Sequence, residues 1–180
     1  SYKEDLLYQM DSNIIKLLQL EKDRQKETIN LIPSENLVSK NVLTVLGSVL
    51  TNKYAEGKSH QRYYFGNEIV DKIEDETKAM VYKVFGISES EWGVNVQSYS
   101  GSIANLAAYL GVLELWDKVL AMSLEHGGHL THGHKVSFTG KIFKFEHYGV
   151  GKDGLLNYES ILEQAKKFNP KLIVAWATAY

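Results

Sequence analysis

The spacing of apolar residues predicts helices in the first half of the chain. Apolar side chains recur at helical spacing over residues 2–29, 39–50 and 67–85. Ser39 is a suitable N-terminal cap for the second of these helices. Gly86 follows the third and is suited to end it in a left-handed conformation. The chain is therefore predicted to begin as a helical segment.

From residue 92 onwards the pattern changes to an alternation of short apolar runs and amphipathic stretches. Strands are predicted at 92–97, 118–122, 142–147 and 171–177, and helices at 101–115 and 158–167. Strands separated by helices need crossover connections, which are typical of a mostly parallel sheet. The sequence thus predicts an α/β fold, with a helical N-terminal arm over 1–60 followed by the first part of an α/β sheet over 61–180.

Composition narrows the class of protein. The 180 residues can bury one sizeable core, and the formal net charge is −2 with acids and bases interspersed. This charge gives no indication of a nucleic-acid or membrane partner. Cysteine is absent, which removes disulfides and thiolate metal ligands. With neither a signal-peptide pattern nor a membrane-length apolar run, the sequence predicts a cytoplasmic protein.

Four of the six histidines lie within nine residues, at positions 126, 129, 132 and 134. Three histidines can hold zinc. However, Gly127, Gly128 and Gly133 disfavour a helix that would align these rings, and Glu125 is the only carboxylate beside them. These features disfavour a metal, and a flat ring stacked on a planar cofactor fits the glycine-flanked segment at least as well. For His126, His132 and His134 an ordinary loop histidine is the remaining interpretation.

A second compact motif, Ser100-Gly101-Ser102, follows a predicted strand and opens a predicted helix. Free N–H groups and the positive end of the helix dipole at such a position favour a phosphate. The motif lacks both the lysine of a nucleotide P-loop and the three glycines of a dinucleotide site. Taken alone, the motif is more often an ordinary serine cap.

The polar segment 51–66 is too long for an ordinary connection, and its aromatic residues argue against disorder. Glu56 could act as a general acid or base if it is partly buried. Tyr63 and Tyr64 offer phenol donors with apolar faces. Packing tyrosines in an ordered loop are the alternative interpretation.

Six segments occur in an order and spacing that together resemble one family. They are LIPSEN at 31–36, GSVLTNKYAEG at 47–57, RYYFGN at 62–67, WGVNVQ at 92–97, SGS at 100–102 and HGGH at 126–129. From about residue 21 to 180 the sequence resembles serine hydroxymethyltransferase, a fold-type-I pyridoxal phosphate (PLP) enzyme. The resemblance implies interconversion of serine plus tetrahydrofolate with glycine plus methylene-tetrahydrofolate, by a homodimer or larger homo-oligomer. It implies no metal, and it makes 61–180 part of the PLP-binding large domain.

The resemblance also implies roles for particular residues. The cofactor-binding set is Ser34, Tyr54, Ser100, Gly101, Ser102, His129 and Thr178. The catalytic set is Glu56, Tyr64 and His129, and the substrate and folate set is Ser34, Glu56, Tyr63, Tyr64, Leu124, Gly128 and Leu130. In this interpretation Ser100–Ser102 cradle the phosphate and His129 stacks on the pyridine ring. Tyr54 reaches the phosphate of the other subunit, and Glu56 handles protons at the serine hydroxyl.

The sequence departs from the family pattern at Pro33, Phe65, Ser98 and Thr178, where the family usually has alanine, glycine, proline and serine. The Thr-His-Lys segment that carries the family's Schiff-base lysine does not occur, and Lys135 lies in the folate loop. The aspartate, histidine and arginine that tune the cofactor and bind the substrate carboxylate are also missing. We therefore expect a fragment that is inactive alone.

The sequence leaves three other hypotheses open. The chain could be a non-catalytic dimerising or regulatory module that pairs with a full-length subunit. It could be a metal protein built on the histidine cluster. Another fold-type-I enzyme, such as an aminotransferase, fits less well, because the YAEG and HLTH segments do not suit it.

Overall fold

The computed structural model describes residues 12–177. The chain divides into two compact units, Ser1–Leu37 and Val38–Tyr180. The described part of the first unit contains helix α1, Ser12–Glu27, and a turn at Pro33 and Ser34. The predicted helix over 2–29 is confirmed from residue 12 to residue 27, where it ends two residues early. Its part before residue 12 lies outside the described residues. The predicted division into an arm up to residue 60 and a domain beyond it stays a prediction.

The second unit begins with helix α2, Lys40–Leu46, and a 3-10 turn, Val49–Asn52. The Ser39 side chain accepts a hydrogen bond from the Val42 N–H at 3.3 Å, which confirms the predicted cap. The predicted helix over 39–50 is wrong in its second half. It ends at Gly47, whose N–H bonds back to the carbonyls of the last turn.

The segment predicted as a loop contains a small antiparallel pair, β1 (Gly57–Lys58) and β2 (Gln61–Arg62). Helix α3, Glu68–Phe85, follows it and confirms the predicted helix. Gly86 ends α3 with φ of 62°, in the left-handed region that favours glycine. The apolar side of α3, which includes Met80 and Val84, is exposed in this structure.

A parallel three-stranded sheet occupies the rest of the second unit. Its elements are α4 (Gly101–Val112), β3 (Lys118–Met122), a 3-10 turn (Leu124–His126), α5 (Phe138–Ile142), β4 (Lys144–Tyr148), α6 (Tyr158–Phe168) and β5 (Leu172–Val174). The strand order is β4-β3-β5, and β3 pairs with both neighbours in parallel. The α/β fold class with a parallel sheet is confirmed.

The core lies on both faces of the central strand β3. Val119 packs with Tyr109 and Leu113 of the α4 region, while Leu120 and Met122 pack with α6. Side chains alternate between the faces of a strand, so the four buried residues 119–122 fill both layers. A strand covered on both sides is expected to be apolar throughout, as this one is.

Three predicted strands need correction, and the predicted helix over 101–115 ends at Val112. Residues 92–98 form no strand in the described structure, because Val94 and Val96 have no ladder partner there. The predicted strand over 142–147 begins at Lys144, because residues 138–142 form a short helix capped by Ser137. The final strand covers Leu172–Val174 and not 171–177. Within residues 12–177, none of the helices combines the length and apolar character needed to cross a membrane.

Candidate functional site

The Ser-Gly-Ser motif lies at the N-terminus of α4. Ser100 is extended (φ −159°, ψ 166°), and its hydroxyl accepts a hydrogen bond from the Ile103 N–H at 3.4 Å. All three residues of the motif are exposed. A Cβ added to Gly101 would find no heavy atom within 4 Å, so the space in front of this helix start is open. The first N–H groups of a helix have no partner within it, and this end can therefore hold an anion.

The histidine segment follows the carboxyl end of β3 and forms a series of tight turns. Gly127 has a positive φ of 103°. Gly128 is buried, and its N–H donates to the Ser123 carbonyl at 2.8 Å. Among residues 12–177, no group of three or more histidine, cysteine, aspartate or glutamate side chains is placed to hold a metal ion. Instead, His129 and His132 contact each other, and His134 accepts a hydrogen bond from the Val136 N–H at 3.4 Å.

His132 is the most deeply buried of these histidines, with 1% of its surface exposed. Its Nδ1 accepts a hydrogen bond from the His129 backbone N–H at 3.1 Å, so the neutral ring carries its proton on Nε2. Burial, together with the nearby His129, lowers the pKa of His132 to about 4, although the Met122 carbonyl raises it slightly. His132 is therefore a neutral structural ring at physiological pH.

This pKa predicts a pH-dependent stability. Below pH 6.5 the unfolded chain binds a proton at His132, whereas the folded chain does not until about pH 4. The wild-type free energy of unfolding should therefore fall by about 2 kcal/mol more than that of His132→Gln between pH 7 and pH 5. Urea titrations followed by tryptophan fluorescence measure both. Parallel pH profiles for the two proteins would contradict the assignment.

His129 lies at the edge of a cleft of about 330 Å³. Leu124, Lys135 and His147 also line this cleft. The ring of His129 makes an edge contact with Trp176, with 5.7 Å between centroids. Its Nδ1 lies 2.8 Å from the Thr131 hydroxyl, which accepts a hydrogen bond from Asn105 of α4 at 2.8 Å. A short chain of side chains thus joins His129 to the helix that begins at the Ser-Gly-Ser motif.

The tyrosine segment presents its functional candidates to the outside of the unit. Tyr54 is 70% exposed, and Tyr63, Tyr64 and Glu56 are also exposed. Tyr54 and Tyr64 meet edge to face, with 5.8 Å between ring centroids. Tyr54 and Glu56 line a second cleft of about 570 Å³. Glu56 therefore lacks, within the described chain, the partial burial that would favour an acid or base role.

Arg62 holds this segment in place and was not singled out by sequence reasoning. Only 4% of its side chain is exposed. Its Nη1 donates to the carbonyls of Ala55 and Gly57, both at 2.7 Å. Its Nε and Nη2 bond to Asp71 at 2.8 Å and Glu74 at 2.6 Å on α3. One guanidinium thus fixes the backbone on both sides of Glu56.

Asn67 and Glu74 also take part in the hydrogen bonds that hold the tyrosine segment. Asn67, which is 3% exposed, donates to the carbonyls of Tyr54 (3.2 Å) and Tyr64 (2.9 Å). Burial alone would raise the pKa of Glu74, but hydrogen bonds from Lys78, Arg62 and Gln97 keep it below its ordinary value. In the sequence, Asp71 and Glu74 lie one helical turn apart on α3 and could have indicated a partner of positive charge. Their spacing alone does not identify this partner as Arg62.

The remaining predicted site residues occupy different places. Leu124 and Leu130 are about half exposed, and both flank the buried Gly128. Ser34 belongs to the first unit, where it lies in an exposed turn. Thr178 lies outside the described residues. The structure therefore brings Leu124 and His129 to one cleft, and Tyr54 and Glu56 to another.

Comparison with known families gives one match over nearly the whole chain. The family model for serine hydroxymethyltransferase matches residues 7–180. The match includes the start of α4, the histidine segment and the tyrosine segment. It agrees with the parallel α/β architecture and with the order of motifs in the sequence. The chain belongs to the serine hydroxymethyltransferase family.

Proposed function

We propose that this chain binds PLP, with the phosphate at the start of α4 and the ring against His129, and that it serves serine–glycine interconversion with tetrahydrofolate. Family membership supports a PLP-dependent transferase. The observation that carries the proposal is the open helix start at Gly101, which side-chain hydrogen bonds connect to His129 through Asn105 and Thr131.

The groups at this helix start suit a phosphate. Ser100 and Ser102 bring hydroxyl donors, and the backbone N–H groups of the first turn add to them. Gly101 carries no side chain that would keep an anion away from the backbone. PLP, when bound, supplies an electron sink for the carbon next to the substrate amino group. The protein supplies binding, orientation and proton transfer.

The cleft at His129 is the proposed folate side of the site. Leu124 lines it, and Gly128 and Leu130 flank His129 in the same segment. Leu124 and the imidazole rings of His129 and His147 offer faces to a flat heterocycle such as a pterin, and Glu125 and Lys135 add polar groups. Ser34 is proposed to contact the substrate amino acid, and Thr178 the phenolic oxygen of the cofactor.

The tyrosine segment is proposed to act on the site of a second copy of the chain. Its groups are exposed on their own unit, and Tyr54 is therefore available to a phosphate held by another subunit. Glu56 would move a proton at the serine hydroxyl, while Tyr63 and Tyr64 would contact substrate and folate. Burial in such an assembly would give Glu56 the environment that an acid or base requires.

These 180 residues contain no Thr-His-Lys segment that would supply the family's cofactor-anchoring lysine. We therefore propose that they contribute binding groups and do not interconvert serine and glycine by themselves. A cytoplasmic location and homodimer formation remain predictions from sequence.

The phosphate assignment predicts the behaviour of the double variant Ser100→Ala/Ser102→Ala. The ligand is pyridoxine 5′-phosphate, which has no aldehyde and forms no bond with surface lysines. Loss of two hydroxyl donors to a charged group should weaken its binding by about tenfold to a hundredfold in equilibrium dialysis. Binding of unphosphorylated pyridoxine should be unaffected.

Ser39→Ala is the matched control, because it removes a similar cap from α2. It should leave binding of pyridoxine 5′-phosphate unchanged. Equal affinity of the double variant and the wild type for the phosphorylated ligand would contradict the assignment.

A second candidate is non-catalytic pairing with a full-length subunit. The exposed apolar side of α3, where Met80 and Val84 lie, favours it. Co-expression with a full-length homologue tests this candidate. It predicts co-purification of the two chains, which substitution of Met80 and Val84 by glutamate would abolish.

A further inference from the structure

Three side chains form a directed chain of hydrogen bonds between α4 and the histidine segment. Asn105 Nδ2 donates to Thr131 Oγ1 at 2.8 Å, and Thr131 Oγ1 lies 2.8 Å from His129 Nδ1. The backbone N–H of Thr131 also donates to His129 Nδ1, at 3.2 Å. His129 Nδ1 therefore faces two groups of the same residue.

The backbone contact fixes the direction of the whole chain. A backbone N–H can only donate, so His129 Nδ1 is an acceptor and carries no proton. The Thr131 hydroxyl must then donate its single proton to this nitrogen and accept from Asn105. The opposite orientation of the Asn105 amide would give the hydroxyl two acceptors for one proton. The neutral ring of His129 is consequently held as the Nε2–H tautomer.

Thr131 is itself firmly anchored. It is 7% exposed, and its carbonyl accepts a hydrogen bond from the Thr139 hydroxyl of α5 at 2.9 Å. Thr139 is 2% exposed and lies 2.9 Å from the hydroxyl of Ser137, the cap of α5. The hydroxyl that faces His129 is thus located by α4 on one side and by α5 on the other.

We propose that Asn105 and Thr131 are positioning residues that hold His129 as a single Nε2–H tautomer and tie its ring to the helix that starts at Ser100. The inference rests on the proposed function, in which this ring stacks on PLP. Thr131 acts on the ring directly, and Asn105 acts through Thr131. A ring fixed in tautomer and orientation before binding loses little freedom when a planar cofactor arrives.

The test is the tautomeric state of His129 in the full chain without cofactor. Long-range ¹⁵N–¹H correlation spectra at neutral pH distinguish a protonated from an unprotonated ring nitrogen. Of the two neutral tautomers, the wild type should show only the Nε2–H form at His129. Thr131→Val keeps the shape of the side chain but removes the hydroxyl donor. His129 Nδ1 then has only the backbone N–H at 3.2 Å, so the Nδ1–H form should become measurable. Thr131→Ser restores the hydroxyl and should restore the wild-type pattern.

His147 provides a fold control within the same spectra. Its Nε2 donates to the His132 carbonyl at 2.7 Å, and its signals should stay unchanged in each variant. Asn105→Ala should produce the Nδ1–H form to a smaller extent than Thr131→Val. An Nδ1–H ring in the wild type, or an unchanged His129 in Thr131→Val with intact His147, would overturn the inference. Because no cofactor is present, this outcome is independent of whether pyridoxine 5′-phosphate binds at Ser100 and Ser102.

Discussion

Gly128→Ala is expected to lower the free energy of unfolding by about 3 kcal/mol. A Cβ at this position would lie 2.1 Å from the Met122 carbonyl oxygen and 2.7 Å from that of Ser123. Both obstacles are backbone atoms, so no side chain can rotate away. Met122 is paired in register with Tyr148 of β4, and the Ser123 N–H bonds to the Tyr148 carbonyl at 2.9 Å. The methyl group can be accommodated only if the histidine segment moves.

Urea unfolding followed by tryptophan fluorescence measures this effect. Gly111→Ala is the matched control, because Gly111 lies within α4 and has no heavy atom near the position of its Cβ. Alanine should stabilise α4 by about 0.5–1 kcal/mol there. If the free energy of unfolding of Gly128→Ala were within about 0.5 kcal/mol of the wild-type value, the close approach of residue 128 to the Met122 carbonyl would be wrong. The displaced segment should also lose the ordered contact between His129 and Trp176.

Arg62→Met is expected to cost about 3 kcal/mol, since it leaves two largely buried carboxylates without their main partner. The Asp71 and Glu74 side chains are 10% and 11% exposed. Glu74 retains Lys78 at 2.8 Å, whereas Asp71 retains only the exposed imidazole of His60, 3.7 Å away. The carbonyls of Ala55 and Gly57 also lose their donor. Arg62→Lys keeps the charge but cannot reach all four acceptors, and it should therefore fall between Arg62→Met and the wild type.

Hydrogen exchange separates local loosening from general destabilisation. The Tyr63 N–H bonds to the Glu56 carbonyl at 3.1 Å, and its exchange should accelerate in both Arg62 variants. The amides of β3, in the central strand, should change far less in Arg62→Lys. Lys171→Met removes a more exposed ion pair with Asp117 in the same unit and should change stability little. If hydrogen exchange at the Tyr63 amide were unchanged in Arg62→Met, Arg62 would not be the residue that holds the backbone around Glu56.

Local signals in the sequence were sufficient for several elements. Ser39 and Ser100 cap helices as predicted, because a cap depends on residues two or three positions away. Gly86 ends α3 for an equally local reason. The apolar run 118–122 was recognisable as a strand, whereas its place at the centre of the sheet and its burial on both faces came from the structure.

The errors arose where structure depends on distant partners. Residues 92–98 have strand-like composition, but a strand exists only with a neighbour, and Gln97 is instead held by its side chain to Gly57 and Glu74. The short α5 was missed because five residues give too little periodicity, although Ser137 was a usable cap signal.

The candidate site was predictable as a set of motifs and not as an arrangement. The Ser-Gly-Ser motif and His129 were identified from the sequence, but the connection between them runs through Asn105 and Thr131, which are 26 residues apart. The Arg62 cluster similarly joins β2 to α3 across 9 and 12 residues. Hydrogen bonds at such separations depend on the fold and have no spacing rule.

We propose that the start of α4 and His129 form one site for the phosphorylated cofactor. Titration of the ¹⁵N-labelled chain with pyridoxine 5′-phosphate tests it most directly, because each amide reports its own surroundings. Binding at a single site should produce saturable shifts that are largest at the amides of Gly101, Ser102 and Ile103 and at the His129 ring. Saturable shifts centred elsewhere, or none at the start of α4, would contradict it.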